Sequence, residues 1–163
     1  NLFREAARLD PENVEILQLW GDLFREKYNI AEAQRSYGDI LKQNENYVPA
    51  LVGMAIIEGG QAAHALLDSA LEVNPRSEPA LVARAALFIE DERYSDAAHI
   101  LERALQINPG YAKAHNNLGT ALASQGKTED AIKHFGMALY INPGYAAAHS
   151  NIGVALAGRG EFE

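Results

Sequence analysis

The sequence predicts an all-α fold, an α-solenoid of stacked antiparallel helix pairs, and three observations predict it. First, the stretch INPGYAKAHNNLG at Ile107–Gly119 returns as INPGYAAAHSNIG at Ile141–Gly153, 34 residues later. Second, apolar residues recur at spacings of three and four, which marks one buried face per helix. Third, Pro closes most of the intervals. A single helix pair cannot bury its own apolar face, so repeats of this length stack on their neighbours.

The repeat divides the chain into helix pairs that form a single array over residues 1–163. The predicted segments are the second helix of a truncated repeat at 1–13, helix pairs at 14–47, 48–77, 78–111 and 112–145, and a truncated repeat at 146–163.

Each segment is justified by residues that recur at fixed positions. The eighth position, on the first helix, is small: Gly21, Ala55, Ala85, Gly119 and Gly153. On the second helix, an Ala precedes a large apolar residue by four positions: Ala33 and Tyr37, Ala63 and Leu67, Ala97 and Leu101, Ala131 and Phe135. Closing prolines stand at Pro11, Pro75, Pro109 and Pro143. Small residues allow close helix crossing, and Pro ends the second helix.

Some features depart from this pattern. The repeat at 48–77 has 30 residues, and Pro49–Leu51 aligns with Pro79–Leu81. The four missing residues therefore belong near IIEGGQ, where we expect a shortened first helix or residues missing from the printed sequence. Glu45 stands where Pro closes other repeats, which weakens that boundary. The chain starts within a second helix and stops at GRGEFE, so we expect a piece of a longer array.

The period and the signature HNNLGTAL, followed by Ala-x3-Phe, Ala and Pro, resemble the tetratricopeptide repeat. The similarity covers nearly the whole chain, with five successive repeats in phase. The C-terminal repeats also resemble the superhelical repeats of O-linked N-acetylglucosamine transferases and bacterial tetratricopeptide repeat proteins. The resemblance implies a right-handed solenoid that binds other proteins in a concave groove lined by its first helices.

Composition excludes several classes of function. The net charge is −8, and nucleic-acid binding needs clustered Lys and Arg, so no nucleic-acid partner is expected. The chain has no Cys, which excludes disulfides and thiolate metal sites. The longest apolar run, Tyr47–Ile57, is too short to cross a bilayer, so we expect no direct membrane insertion. No signal peptide is visible, and the compartment stays open.

Motifs for catalysis and cofactors are not expected to function. The stretch ALASQGKT at Ala121–Thr128 fits a relaxed phosphate-loop pattern, but a phosphate loop follows a strand and this stretch lies between two predicted helices. The five His residues lack the spacing with a nearby acid that a zinc helix requires. There is no Gly-x-Ser-x-Gly elbow. We therefore expect no enzyme activity, no cofactor and no metal.

The resemblance implies which residues face the groove, namely the second, fifth, sixth, ninth and twelfth or thirteenth of each repeat. The N-terminal zone holds Glu15, Gln18, Leu19, Asp22 and Arg25. The middle zone is apolar and holds Val52, Gly53, Ile56, Val82, Ala83, Ala86 and Ile89. The C-terminal zone is polar and holds Lys113, Asn116, Asn117, Thr120, Ser124, Ser150 and Asn151.

Asn117 and Asn151 share the sixth position of consecutive repeats. A carboxamide offers one acceptor and two donors, which suits paired hydrogen bonds to a peptide backbone. The resemblance to the transferase repeats implies that such residues clamp an extended peptide. The alternative is that both are solvated groove residues, because the series is interrupted upstream at Leu19, Gly53 and Ala83.

We therefore predict a non-catalytic scaffold that binds an extended peptide or helix of a partner protein. Its apolar middle zone is expected to receive hydrophobic side chains near Val82 and Ile89. Two alternatives stay open: the chain recruits substrates for a larger enzyme, such as a glycosyltransferase or peptidase, or it self-associates through exposed terminal helices. A clamp for a terminal carboxylate is not expected, because Leu19 and Asp22 stand where Asn or a cation is needed.

Overall fold

The computed structural model describes Asp10 and residues 13–27 and 29–158. Regular structure in this part of the chain is entirely α-helical, so the all-α prediction is confirmed. The helices are α1 (Val14–Glu26), α2 (Ile30–Gln43), α3 (Val48–Glu58), α4 (Gly60–Val73), α5 (Glu78–Glu90), α6 (Tyr94–Ile107), α7 (Ala112–Ser124), α8 (Thr128–Ile141) and α9 (Ala146–Gly158). Odd numbers are first helices and even numbers are second helices. Most of the predicted tail at 1–13 lies outside the described residues.

The chain divides into two compact parts, the N-terminal half Asn1–Ala83 and the C-terminal half Arg84–Glu163. The division falls inside α5. The single continuous array over residues 1–163 therefore stays a prediction.

Each second helix ends at an Asn whose side chain shapes the turn to the next first helix. Asn44, Asn74, Asn108 and Asn142 have extended backbones, and the Oδ1 of each accepts a hydrogen bond from the backbone N–H two residues later, at 3.0–3.2 Å. Pro follows three of them and disfavours helix at the preceding residue. Glu45 follows Asn44 instead, and the turn is the same. The Asn side chain is therefore the common determinant, and the boundary at Glu45 is not weakened.

The repeat at 48–77 loses residues in two places. Its first helix, α3, has 11 residues, whereas α1, α5 and α7 have 13. A single residue, Gly59, connects α3 to α4, whereas three residues connect the pairs at 91–93 and 125–127. Gly59 and Gly60 have φ values of 66° and 51°, in the left-handed region that favours glycine. The deficit of four is thus shared equally between the helix and the connection.

The core of the N-terminal half is built around Tyr37 of α2, which is fully buried. Its ring lies against glycines of two first helices. A Cβ on Gly21 of α1 would lie 2.5 Å from Tyr37 Cε1, and a Cβ on Gly53 of α3 would overlap the same ring. Glycine at these two positions therefore allows both first helices to approach the aromatic ring.

The C-terminal half has Phe135 of α8 at the position of Tyr37. Its side chain is 2% exposed, and a Cβ on Gly119 of α7 would lie 2.6 Å from its Cε1. The two halves therefore share a buried aromatic residue that packs against the eighth-position glycine of the first helix in its own pair.

Candidate functional site

A network of carboxamide and hydroxyl groups connects α7 and α9 in the C-terminal half. Asn151 Nδ2 donates to Asn116 Oδ1 at 3.0 Å and to Thr120 Oγ1 at 3.5 Å. Asn116 Nδ2 donates to Asn117 Oδ1 at 3.3 Å. Thr120 Oγ1 donates to the backbone carbonyl of Asn116 at 3.2 Å. The polar residues predicted for the C-terminal zone are therefore brought together, but largely by bonds to one another.

The network leaves two groups without a partner among the described residues, Asn117 Nδ2 and Asn151 Oδ1. Both residues are partly exposed, while Lys113 and Ser150 are exposed on the same two helices. Asn117 thus presents a donor from α7, and Asn151 presents an acceptor from α9. This combination matches the two hydrogen-bonding groups of a peptide unit.

A cleft of about 190 Å³ adjoins the network between α7 and α9. It is lined by Thr120, Ala123, Ser124, Phe135, Asn151, Val154 and Ala155. None of these side chains is ionisable, and most of the exposed lining is apolar. Val154, which is 70% exposed, stands at its edge. The cleft therefore combines an apolar interior with the polar groups of the network.

The charge of α7 and α9 differs from that of the whole chain. The chain has a net charge of −8, yet neither helix contains an Asp or Glu. Their basic residues are one Lys, Lys113, and two His, His115 and His149. A partner segment that approaches these helices therefore meets carboxamides and hydroxyls without a carboxylate on either helix.

Three polar residues predicted for the N-terminal zone, Gln18, Asp22 and Arg25, are already engaged in hydrogen bonds. Gln18 Oε1 accepts a hydrogen bond from the Tyr47 hydroxyl at 2.6 Å. Asp22 Oδ1 accepts one from the Tyr37 hydroxyl at 2.7 Å, and Arg25 Nε donates to that hydroxyl at 3.4 Å. The Arg25 guanidinium also lies 3.5 Å from the Asp22 carboxylate. These side chains hold α1 to α2 and α3, so they stabilise the fold of this half.

Burial raises the pKa of Tyr37 to about 12, and the hydrogen bond to the Asp22 carboxylate adds to this shift. A raised phenol pKa means that the folded chain keeps its proton when the unfolded chain has lost it. Stability from this group is therefore complete below pH 10 and is lost as the pH rises toward 12.

We expect the free energy of unfolding to fall between pH 10 and pH 12, in urea titrations followed by circular dichroism. Tyr37→Phe should flatten the part of this dependence that Tyr37 causes, because it removes the ionising group. It should also cost about 1 kcal/mol at neutral pH, the usual worth of one hydrogen bond. An identical pH profile for both chains would contradict the assignment.

Four of the residues predicted to face the groove are buried instead, namely Val52, Gly53, Val82 and Asn116. Val82 is 1% exposed, so it offers no surface to a hydrophobic side chain of a partner. Asn116 is 6% exposed and acts inside the network, where it holds Asn117 and Asn151. Ala86 and Ile89 remain partly exposed, as predicted groove residues need to be.

Two of the five His residues, His115 and His134, form a pair that their spacing in the sequence did not indicate. Nδ1 of His115 lies 3.0 Å from Nδ1 of His134, and Nε2 of His115 lies 3.1 Å from the carbonyl oxygen of Pro109. Since a carbonyl only accepts, His115 donates to Pro109 through Nε2–H, and in the neutral imidazole its Nδ1 then accepts from His134. Burial lowers the pKa of His134, and His115 lowers it further. Over the described residues, no three His, Asp or Glu side chains come together as metal ligands.

The stretch that resembles a phosphate loop lies on a helix, a turn and the start of another helix. Residues 121–124 end α7, and Thr128 begins α8. A shallow hollow there is lined by Gly126, Lys127, Thr128, Glu129 and Asp130. Two carboxylates thus stand where a phosphate loop presents backbone amides to an anion.

Two family models match the chain. One described as tetratricopeptide repeat matches residues 88–152, and another of the same description matches residues 59–111. Together they extend over 59–152, more than half of the chain. The chain is a tetratricopeptide repeat protein. Such proteins are in general non-catalytic scaffolds for protein–protein interaction, with protein or peptide partners.

Solved tetratricopeptide repeat structures have the same fold. The MamA protein is 26% identical, over 90% of this chain and 82% of that chain, with a TM-score of 0.66. A thermophilic tetratricopeptide repeat protein from Thermus thermophilus is 18% identical, over 96% and 88%, with a TM-score of 0.81. YrrB, a tetratricopeptide repeat protein with an unusual peptide-binding site, is 21% identical, over 100% and 86%, with a TM-score of 0.63. The solenoid prediction is thereby confirmed.

Two further comparisons concern sequence and membrane association. Among curated protein sequences, none shows significant similarity to this tetratricopeptide repeat protein. Within the described residues, every helix is too short or too polar to span a lipid bilayer.

Proposed function

We propose that this tetratricopeptide repeat protein binds an extended segment of a partner protein on the face formed by α7 and α9, without catalysing a reaction. The observation that carries the proposal is the pair of unfilled groups at equivalent positions, the donor on Asn117 and the acceptor on Asn151. A peptide in extended conformation presents its N–H and C=O groups to such a pair. YrrB offers a precedent for a peptide-binding site on this fold.

The hydrogen bonds within the network support the proposal because they fix both carboxamides before a partner arrives. Asn151 is held by two bonds through Nδ2, and Asn117 is held through Oδ1. Ordering a side chain on binding costs about 0.5–1.5 kcal/mol, and a carboxamide that is already ordered avoids this cost. The hydrogen bonds to Asn117 Oδ1 and Asn151 Nδ2 therefore favour binding of a peptide through Asn117 Nδ2 and Asn151 Oδ1.

Asn117→Asp tests the proposal more sharply than truncation to Ala. The variant keeps an oxygen for Asn116 Nδ2 and replaces the outward donor with a carboxylate oxygen that repels a peptide carbonyl. We expect affinity to fall by about tenfold or more, since an unpaired polar group at an interface costs about 1–3 kcal/mol. Heptapeptides selected from a random phage-displayed library against the unaltered chain serve as probes, with synthetic copies measured by isothermal titration calorimetry.

Asn46→Asp is the matched control. Asn46 is exposed in the connection between α2 and α3, so the variant makes the same charge change outside the proposed face. It should bind the selected heptapeptides with unaltered affinity. Equal affinity of Asn117→Asp and the unaltered chain would refute the role of Asn117. Asn151→Ala is less informative, because it also removes two hydrogen bonds between α7 and α9.

A further inference from the structure

The two halves of the chain contain the same type of joint, and the joint is filled in one half and open in the other. Each joint lies where two consecutive first helices meet over the aromatic residue of the second helix between them. In the N-terminal half, these are α1, α3 and Tyr37. In the C-terminal half, they are α7, α9 and Phe135. A comparison of equivalent positions shows which groups fill the first joint.

In the N-terminal half, three side chains fill the joint. The Tyr37 hydroxyl extends to the Asp22 carboxylate at 2.7 Å, and the Arg25 guanidinium closes over both groups. All three belong to one hydrogen-bonded cluster.

In the C-terminal half, each of these side chains is replaced by a shorter one. Counted by position within the repeat, Phe135 replaces Tyr37, Thr120 replaces Asp22, and Ala123 replaces Arg25. On the next first helix, Val154 and Ala155 stand where the N-terminal half has two Ile residues. The lost hydroxyl, carboxylate and guanidinium leave the cleft of about 190 Å³.

The size and lining of the cleft define what it can receive. Its volume is about 190 Å³, below the range of about 300–1,000 Å³ that holds a whole small molecule, which suits a single side chain. A charged side chain would lose hydration there without a countercharge, because no lining residue is ionisable. An aliphatic side chain would bury its surface against Phe135, Val154 and Ala123, at about 25 cal/mol per Å².

We infer that the cleft between α7 and α9 receives one uncharged aliphatic side chain, of the size of Leu, from the bound peptide. Phe135, Ala123 and Thr120 determine this specificity. Each has a shorter side chain than its equivalent in the N-terminal half, and the difference keeps the joint open. The inference rests on the proposed function, since Asn117 and Asn151 hold the backbone of the same peptide. It adds that the peptide is recognised through one aliphatic side chain and that the cleft between α7 and α9 binds this side chain.

The test uses capped pentapeptides Ac-Ala-Ala-X-Ala-Ala-NH2, in which X is Leu, Ala, Lys or Glu. Titration of the isotope-labelled chain is followed by the NMR shifts of the amides at Ala123, Val154 and Ala155. The Leu peptide is expected to bind about tenfold more tightly than the Ala, Lys and Glu peptides, the discrimination that a hydrophobic pocket gives for a few methylene groups. Equal affinity of the four peptides, or shifts confined to another surface, would overturn the inference.

Two variants close the cleft without changing Asn117 or Asn151. Ala123→Leu places an aliphatic side chain of this chain in the cleft, and the triple variant Thr120→Asp, Ala123→Arg and Phe135→Tyr rebuilds the filled joint. Each is expected to weaken binding of the Leu peptide at least tenfold and to remove its preference over the Ala peptide. Ala65→Leu, at an exposed position of α4, makes the same substitution in the other half and should change nothing.

The outcomes separate the inference from the proposed function. If Asn117→Asp weakens the Leu peptide but both cleft-closing variants bind it like the unaltered chain, the side-chain pocket is wrong and the backbone clamp stands. If none of the four peptides binds the unaltered chain, both proposals are wrong. The triple variant decides the matter if Ala123→Leu fails to fold, as judged by its circular dichroism.

Discussion

Phe135→Ala is expected to lower the free energy of unfolding by about 3–5 kcal/mol, the cost of removing a large aromatic side chain from a close-packed interior. Phe135 is 2% exposed and lies against the backbone of Gly119, so no neighbouring side chain there can expand to fill the space. Urea denaturation followed by circular dichroism measures the change. Because the adjoining cleft already opens to solvent, water can enter the vacated space, which favours the lower part of this range.

Tyr140→Ala is the matched control on the same helix. Tyr140 is 83% exposed, and truncation of an exposed side chain changes stability by about 0.5 kcal/mol or less. A similar loss for Phe135→Ala and Tyr140→Ala would show that α8 is not anchored through Phe135. The contrast also separates burial from aromatic content, since both variants remove one ring from α8.

Gly53→Ala is expected to destabilise the chain by about 1–3 kcal/mol, the usual cost of overpacking a core. The added Cβ would overlap the Tyr37 ring, which is itself held between two helices and bonded to Asp22. The ring therefore cannot move away without breaking other contacts. Gly153→Ala is the opposite case, because its Cβ would meet no atom within 4 Å. It should stabilise the chain by about 0.5–1 kcal/mol, since Ala favours the interior of a helix.

A double-mutant cycle assigns the cost of Gly53→Ala to Tyr37. In a Tyr37→Leu background the ring is absent, so the same Gly53→Ala change should cost much less or stabilise the helix. Interaction energies of about 0.5–3 kcal/mol are typical of residues in direct contact. An additive cycle, with no interaction energy between the two positions, would refute the steric explanation.

The fold was predictable because its signals are repeated. The small residue at the eighth position and the Ala before each large second-helix residue recur in phase, so one ambiguous helix is interpreted by comparison with its equivalents. The helix pairs are predictable from this periodic pattern of buried residues, because the pattern is present in every repeat. Even the short repeat at 48–77 was located by aligning Pro49 with Pro79.

The candidate site was predictable only in part. Position in the repeat assigned Asn117 and Asn151 to one face, but it could not reveal that the Asn151 amide bonds to Asn116, since that depends on rotamers across two helices. The same positional rule assigned Val82 to the groove, although burial depends on what covers a helix as well as on its own residues. The open cleft was missed because it results from replacements at three separate positions, which only the folded chain brings to one place.

The Asn turns that end the second helices have a consequence for changes in chain length. The backbone conformation at Asn74, Asn108 and Asn142 is nearly the same, with φ between −135° and −131° and ψ of 91°. The connection inside a pair, by contrast, varies from one residue at Gly59 to three residues at 125–127. We therefore expect insertions and deletions to be tolerated at the connections inside a pair, and a change of length at the Asn turns to disturb the packing of one pair on the next.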